Sequence, residues 1–232
     1  TKYPWPIIIF FVVVSVAFGA QMPNNVIDPD VKNQLPPDMA SRIKNERLEA
    51  VFGGTDMAMV VIEADDILKP ETLKRIKGIS KKMERLKVLD DVMSIFTLKD
   101  IKAVKGAEGE EDAMVVNPVV KRIPKTKEKR EALRAAIKDN DMVYGTVVSK
   151  DFTVTAIIGQ VGMGTSDIEV YNAIEDILNQ FPGEEKIHLA GLPMFRKQME
   201  GDIKGDMQRL MPYGLLIILL FLHSSQYQEY FL

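Results

Sequence analysis

The chain has no cysteine, only two histidines and no excess of either charge, and each shortage removes a class of function. Without cysteine there is no disulfide framework, no thiolate metal site and no thiol nucleophile, and cysteine usage says nothing about the compartment. With only His188 and His223, the chain offers no second imidazole near the first. A lone histidine between Ile187 and Leu189 on a short strand points to the face opposite theirs and reads as a partly exposed sheet residue. No spacing assembles a Ser/His/Asp or Cys/His set, so the sequence does not read as an enzyme. Thirty lysines and arginines stand against 33 aspartates and glutamates, and that near balance excludes a nucleic-acid surface, which needs a clear basic excess.

What is present is an uneven distribution of apolar residues. Ile7–Ala20 reads IIIFFVVVSVAFGA, with Ser15 its one polar residue and no charge. With Tyr3, Trp5 and Met22 at its flanks it reaches about 20 residues, which as a helix spans roughly 30 Å, a bilayer core. The same stretch also fits a signal peptide: Lys2 as a thin n-region and Ala17-Phe18-Gly19 as a cleavage site. A second apolar run, Met211 to Leu222, closes on LLIILLFL. It is shorter than the roughly 17–25 residues a span needs, and it turns polar at His223-Ser224-Ser225-Gln226. Two apolar runs around a long polar region suggest a span, a large loop domain and the start of another, truncated or altered span. A first residue other than Met suggests a fragment or a processed form. Neither run holds an acidic or basic residue, the mark of an intramembrane proton relay.

Between the runs the pattern alternates. Pro23–Pro37 reads as an extended connector, and Ser41–Val51 as a charged helix with apolar Ile43, Leu48 and Val51, stopped by Gly53-Gly54. Met57–Ile62 is a short, continuously apolar strand. Pro70 opens a helix, with Glu71 at its favourable end and Leu73, Ile76, Ile79, Met83 and Leu86 as its stripe. Val92–Leu98 is a second strand. Lys99–Asp141 is less regular: an acidic flexible tip at Gly106–Asp112, an extended piece at Met114–Ile123 and a charged helix at Thr126–Asn140 with Leu133, Ala136 and Ile137 inward. Met142–Ser149 and Phe152–Val161 read as a hairpin turning at Ser149-Lys150-Asp151. Ser166–Phe181 is a helix with a Ser166/Glu169 capping box and a stripe of Ile168, Tyr171, Ile174, Ile177, Leu178 and Phe181. Ile187–Ala190 is a last strand. Met194–Leu210 is a polar helix with Phe195, Met199, Ile203, Met207 and Leu210 on one side. With Lys99–Asp141 set aside and the 142–161 hairpin counted once, the order is strand, helix, strand, strand, helix, strand, the split βαβ or ferredoxin-like arrangement of an α+β fold.

Gly159–Ser166 (GQVGMGTS) comes near a phosphate-binding loop, but Thr165 stands where that loop needs lysine, and Asp167 puts a negative charge where a phosphate would sit. It reads as a flexible strand-to-helix turn. The carboxylates run with lysines, as at Lys81, Lys82, Glu84 and Arg85, and read as a solvated face. Glu200, Asp202 and Asp206 lie on the helix entering the second run and read as solubilising groups.

Several stretches in order resemble one family. They are Gln21-Met22-Pro23 after the first run, Val26-Ile27-Asp28, Leu35-Pro36, and Val51-Phe52-Gly53-Gly54-Thr55-Asp56. Pro70-Glu71-Thr72-Leu73, Asp91-Val92-Met93-Ser94, Tyr144-Gly145 with Val148-Ser149-Lys150-Asp151, Leu189-Ala190-Gly191-Leu192-Pro193, and Asp206-Met207 through Leu210-Met211-Pro212 follow. This order is similar to the N-terminal part of resistance–nodulation–division (RND) superfamily permeases, in the MMPL-like exporter branch. The resemblance implies a transmembrane helix at 1–22, a connector and helix at 23–56, and an extracytoplasmic ferredoxin-like porter domain at 57–193 with an insert at about 99–141. It further implies a helix leading to the membrane at 194–210 and a truncated or altered second span at 211–232. The implied activity is proton-driven export of hydrophobic or lipid-like molecules, with no cofactor, no metal and the proton relay in a later helix. The implied partners are the cytoplasmic (inner) membrane bilayer, the rest of the transporter polypeptide and a hydrophobic or lipid substrate, and a homo-oligomer is compatible with it. Phe52, Gly53, Gly54, Asp56, Gly191, Pro193, Asp206 and Pro212 are the motif residues with an implied structural or coupling role. Met194–Leu210 would be the lever for motions from the membrane half. The alternative is a secreted or periplasmic α+β binding module with a cleaved signal peptide.

Overall fold

The structure, a computed structural model, describes the backbone of residues 4–21, 34–104 and 113–229 and, within them, the side chains of 6, 9–21, 34–99 and 118–221. The chain divides into two units, Pro36–Lys197 on one hand and Thr1–Leu35 with Gln198–Leu232 on the other. Helix α1 is Pro4–Gln21, whose 18 residues rise about 27 Å. Among the described residues no helix is long and apolar enough to cross a membrane.

Unit Pro36–Lys197 opens with α2 (Ala40–Phe52), which buries none of its residues: Ile43, Leu48 and Val51 stay exposed. Its centre is a four-stranded antiparallel sheet of β1 (Met57–Glu63), β2 (Leu89–Met93), β5 (Val154–Val161) and β6 (Lys186–Gly191), in the order β2-β5-β1-β6. Helix α3 (Pro70–Met83) joins β1 to β2, and α5 (Asp167–Gln180) joins β5 to β6. The alternation of a half-buried strand decides which side is covered. In β1 it sinks Ala58, Val60 and Ile62 completely, and in β5 Thr155, Ile157 and Val161. Against them α3 sets Leu73, Ile76, Ile79 and Met83, each fully buried, spaced by three or four as one helix face requires. Pro70 occupies the first turn of α3, where its missing N–H costs nothing, and Glu71 sits at the positive helix end. The mixed α+β architecture expected from the sequence is therefore present.

The segment set aside at 99–141 belongs to the core. It holds a separate hairpin, β3 (Lys99–Val104) paired with β4 (Ala113–Pro118), and helix α4 (Lys127–Lys138). Val120 and Ile137 from this segment join the same apolar cluster as the sheet. The acidic tip at 106–112 and the connector's residues 23–33 lie outside the described residues.

Four expectations are corrected. Residues 142–149 form no strand: Val147 and Val148 both donate their N–H groups to the Val143 carbonyl, so the backbone coils and only isolated bridges form. Strand β2 ends at Met93 rather than running to Leu98, because hydroxyls capture the backbone beyond it: the Ser94 N–H donates to Thr97 Oγ1 at 2.7 Å and Phe96 N–H to Ser94 Oγ at 3.2 Å. The capping box does not close, since Ser166 caps α5 without a side-chain hydrogen bond. The buried face of α5 turns on Val170, Ile174 and Ile177, while Ile168 is exposed. The last element, α6 (Leu192–Glu229), is one helix of 38 residues with Pro212 inside it. No glycine or proline follows Gly214, so nothing local breaks it at the polar His223–Gln226.

Candidate functional site

Six of the eight motif residues meet at one end of β1. Helix α2 stops at Phe52, and the Gly53 N–H donates back to the Glu49 carbonyl at 2.9 Å. The next residues press against the end of β5. Gln160 Nε2 donates to the Phe52 carbonyl at 3.3 Å and to the Gly54 carbonyl at 2.8 Å. The Val161 N–H donates to the Asp56 carbonyl at 2.9 Å. A Cβ on Gly54 would run into the Val161 carbonyl oxygen, so only glycine allows this approach. On the other side of β1, β6 ends at Gly191 with φ 106°, and a Cβ there would meet the Met57 carbonyl oxygen. Pro193 follows in the first turn of α6, where proline is tolerated, and is buried.

This geometry delivers Arg196 into the unit. Its side chain is 9% exposed, and Nη1 donates to Asp56 Oδ2 at 2.6 Å and to Asp167 Oδ1 at 3.4 Å. Asp56 belongs to the α2–β1 connector and Asp167 is the first residue of α5. One guanidinium thus ties the start of α6 to two other segments. A buried ion pair adds little net stability, because desolvation offsets attraction, but breaking it leaves an uncompensated charge. What the cluster does best is hold geometry. Its named side chains fix the relative positions of the α2–β1 connector, the end of β5 and the starts of α5 and α6.

Arg196 and its second acceptor, Asp167, are the residues that sequence reasoning missed, while Asp56 was among the motif residues. The apolar face was assigned to Phe195, which is 62% exposed, whereas Met194 and Arg196 are 6% and 7% exposed. A single arginine directly after Leu192-Pro193-Met194-Phe195 was the available signal. Asp167, read only as an obstacle to phosphate, is the arginine's second acceptor. The structure does not bring Asp206 and Pro212 to this cluster. They lie farther along α6, in the other unit, with Asp206 bordering a groove of about 410 Å³ lined by Ile203, Met207, Leu210 and Met211. His188 is exposed, with Nε2 3.4 Å from Glu63 Oε2. Glu200 pairs with Lys204 at 2.6 Å.

A second arginine staples the covered side. Arg75 on α3 donates through Nε to the Phe181 carbonyl at 2.7 Å and through Nη1 to Glu185 Oε2 at 2.6 Å. Burial pushes the Glu185 carboxyl up, but its own backbone N–H, the Thr72 hydroxyl and Arg75 outweigh it and hold the group below its ordinary value. At the end of the sheet opposite the Arg196 cluster, Arg134 of α4 reaches Asp66 at 2.9 Å and lies over the ring of Phe152. In the adjoining turn, the Ser149 hydroxyl and the Thr153 N–H lower Asp151 to about 2.

The sheet's other face is less deeply buried among the described residues. Met59, Val61, Ala156, Ile158 and Ala190 share it, all half-buried, with Met93 more exposed beside them. Among the described residues no group of His, Cys, Asp and Glu could hold a metal, and no buried side-chain polar atom lacks a partner.

The sequence matches the MMPL family over residues 33–224, which takes in the last residues of the connector, the whole α+β unit and most of α6. No curated protein matches the chain. Because that match covers most of the 232 residues, the chain belongs to the MMPL family, whose members are RND-type membrane transporters.

Proposed function

We propose that the Pro36–Lys197 unit is the extracytoplasmic porter region of a proton-driven exporter of hydrophobic or lipid-like molecules at the cytoplasmic membrane. The observation that carries this reading is the family match, which runs without interruption across the unit and into α6. The apolar stretches around α1 and in the second half of α6 are its membrane segments, with the proton relay supplied by helices beyond them. The half-buried apolar sheet face of Met59, Val61, Ala156, Ile158 and Ala190 suits a greasy cargo, because it offers apolar area that is not fully sealed from solvent. The Arg196 cluster supports a mechanical role for α6: its first turn is pinned to the sheet and to α5, so a displacement of the helix would reach both. Helix α6 is then the lever, as a continuous helix must be to transmit displacement.

The tests use a longer polypeptide carrying the remaining transporter helices. Gly205→Pro, which breaks α6 beyond its pinned turn, is expected to abolish export while the α+β unit keeps its thermal transition; unchanged export rejects the lever. Because the chain has no cysteine, a single cysteine at exposed Met163 reports sidedness. Labelling by a membrane-impermeant maleimide from outside the cytoplasm supports the reading. Loss of about the first 20 residues with release into the soluble fraction replaces it with a secreted binding module.

A further inference from the structure

The transport reading leaves unused a strongly basic stretch of the chain. In Lys121–Arg130, ten residues carry Lys121, Arg122, Lys125, Lys127, Lys129 and Arg130 against a single acid, Glu128, in a chain whose net charge is −3. Five of the six are exposed and Arg130 partly so. Among the described residues none of the six has an ion-pair partner. Lys127, Lys129 and Arg130 stand in the first turn or so of α4, where the positive end of the helix dipole opposes cations. The helix gains nothing from them there. They are held rigidly nonetheless: Val120 and Pro124 are buried, Ile123 packs on the core, and α4 is anchored by Ile137 and by Arg134 on Asp66.

We infer that Lys121–Arg130 is a docking surface for a bilayer rich in anionic phospholipid. Charge complementarity selects an anionic partner, and two features select a lipid surface over an acidic protein. Stable protein interfaces are built around apolar and aromatic anchors, whereas this segment turns its apolar residues, Ile123 and Pro124, inward and presents charge alone. Four of the six cations are lysines, compact point charges suited to a smeared field of headgroups rather than to bidentate pairing. An anionic leaflet rewards that arrangement without shape complementarity, strengthening binding about fivefold for each Lys or Arg brought near it. Helix α4, which carries three of the six cations, is fastened through Arg134 at the end of the sheet marked by Asp66 and Phe152, opposite the Arg196 cluster. The inference does not rest on the transport reading, since it concerns an exposed surface that needs neither cargo nor proton relay.

The experiment places the whole chain in phosphatidylcholine nanodiscs and measures its capture by separate vesicles, either of phosphatidylcholine alone or of phosphatidylcholine doped with phosphatidylglycerol. Capture only by the phosphatidylglycerol vesicles is expected, with its loss near 1 M salt, where the Debye length falls to about 3 Å. The variant K125Q/K127Q/K129Q should weaken capture roughly 100-fold, while K81Q/K82Q on the exposed face of α3 leaves it unchanged; circular dichroism should be that of the parent for both. Equal capture by both vesicle types overturns the proposal. So does a triple variant that binds like the parent, or a control pair that loses binding equally. Retention on immobilised polyglutamate without vesicle capture overturns it in favour of an acidic protein partner. Failure of the export tests with vesicle capture intact would reject the transport reading alone.

Discussion

Arg75 and Arg196 are both buried arginines on helices of the α+β unit, but they solve different problems. Arg75 meets one carboxylate, Glu185, and two backbone carbonyls, at Phe181 and Glu185, so its charge is matched one to one and its other donors go to fixed backbone. Arg196 is shared between two carboxylates on different segments, at 2.6 Å and 3.4 Å. The first is a staple that closes α3 on the end of α5. The second is a joint whose two acceptors bind unequally, which suits a root that must hold position while the helix beyond it moves. Buried charge thus serves stability at one end of the unit and registration at the other.

The difference can be broken by substitution. The largest effect is expected for Arg75→Ala, which leaves Glu185 and two carbonyls without their donor: about 3–5 kcal/mol of unfolding free energy, read from the urea midpoint. If Arg196→Ala costs as much, the distinction between staple and joint fails. Next comes Gly191→Ala, about 2–3 kcal/mol, because the methyl group meets the rigid Met57 carbonyl and φ 106° is strained for alanine. Arg196→Ala itself should cost about 1–3 kcal/mol, since Asp56 and Asp167, 17% and 28% exposed, can recover water. In a transporting parent it should lower export beyond the loss of folded protein, whereas Arg75→Ala should lower both together.

A titration sharpens the comparison further. The Glu185 value is lowered in the folded state, so its stabilisation is fully present above the unfolded value near 4.5 and is lost as pH falls through the lower folded value. Urea midpoints of the parent and Glu185→Gln should therefore differ by about 1–2 kcal/mol at pH 7 and converge at acid pH. A constant gap would show that the partner contacts, not the charge, carry the staple. The smallest effect is expected for Asp167→Asn, below about 1 kcal/mol, because its contact is long and partly wet.

The sheet and its covering helices were legible because periodicity reports burial. Leu73, Ile76, Ile79 and Met83 read the same way in sequence and structure, whereas Met57–Ile62, continuously apolar in sequence, buries only every second residue. The glycines of the motif were legible as well, though not their reason, since the Val161 and Met57 carbonyls that forbid a Cβ are far away in sequence. Residues 142–149 were misread because Val143, Val147 and Val148 are buried by a coiled turn, and burial alone cannot distinguish a turn from a strand. The inward side of the Thr126–Asn140 helix was legible at Ile137, but its fastening through Arg134 to Asp66, an ion pair across a wide sequence gap, was not.

By itself, then, the sequence determined most of the helices and strands of the sheet layer, the apolar stripe of α3, the absence of cysteine and the family. Those are properties of local pattern, and local pattern survives without coordinates. Only the tertiary structure decided which charges are paired. It placed Arg196 between Asp56 and Asp167 and left the cations of Lys121–Arg130 facing solvent. Charge acts through distance and burial, and neither is written in the order of residues.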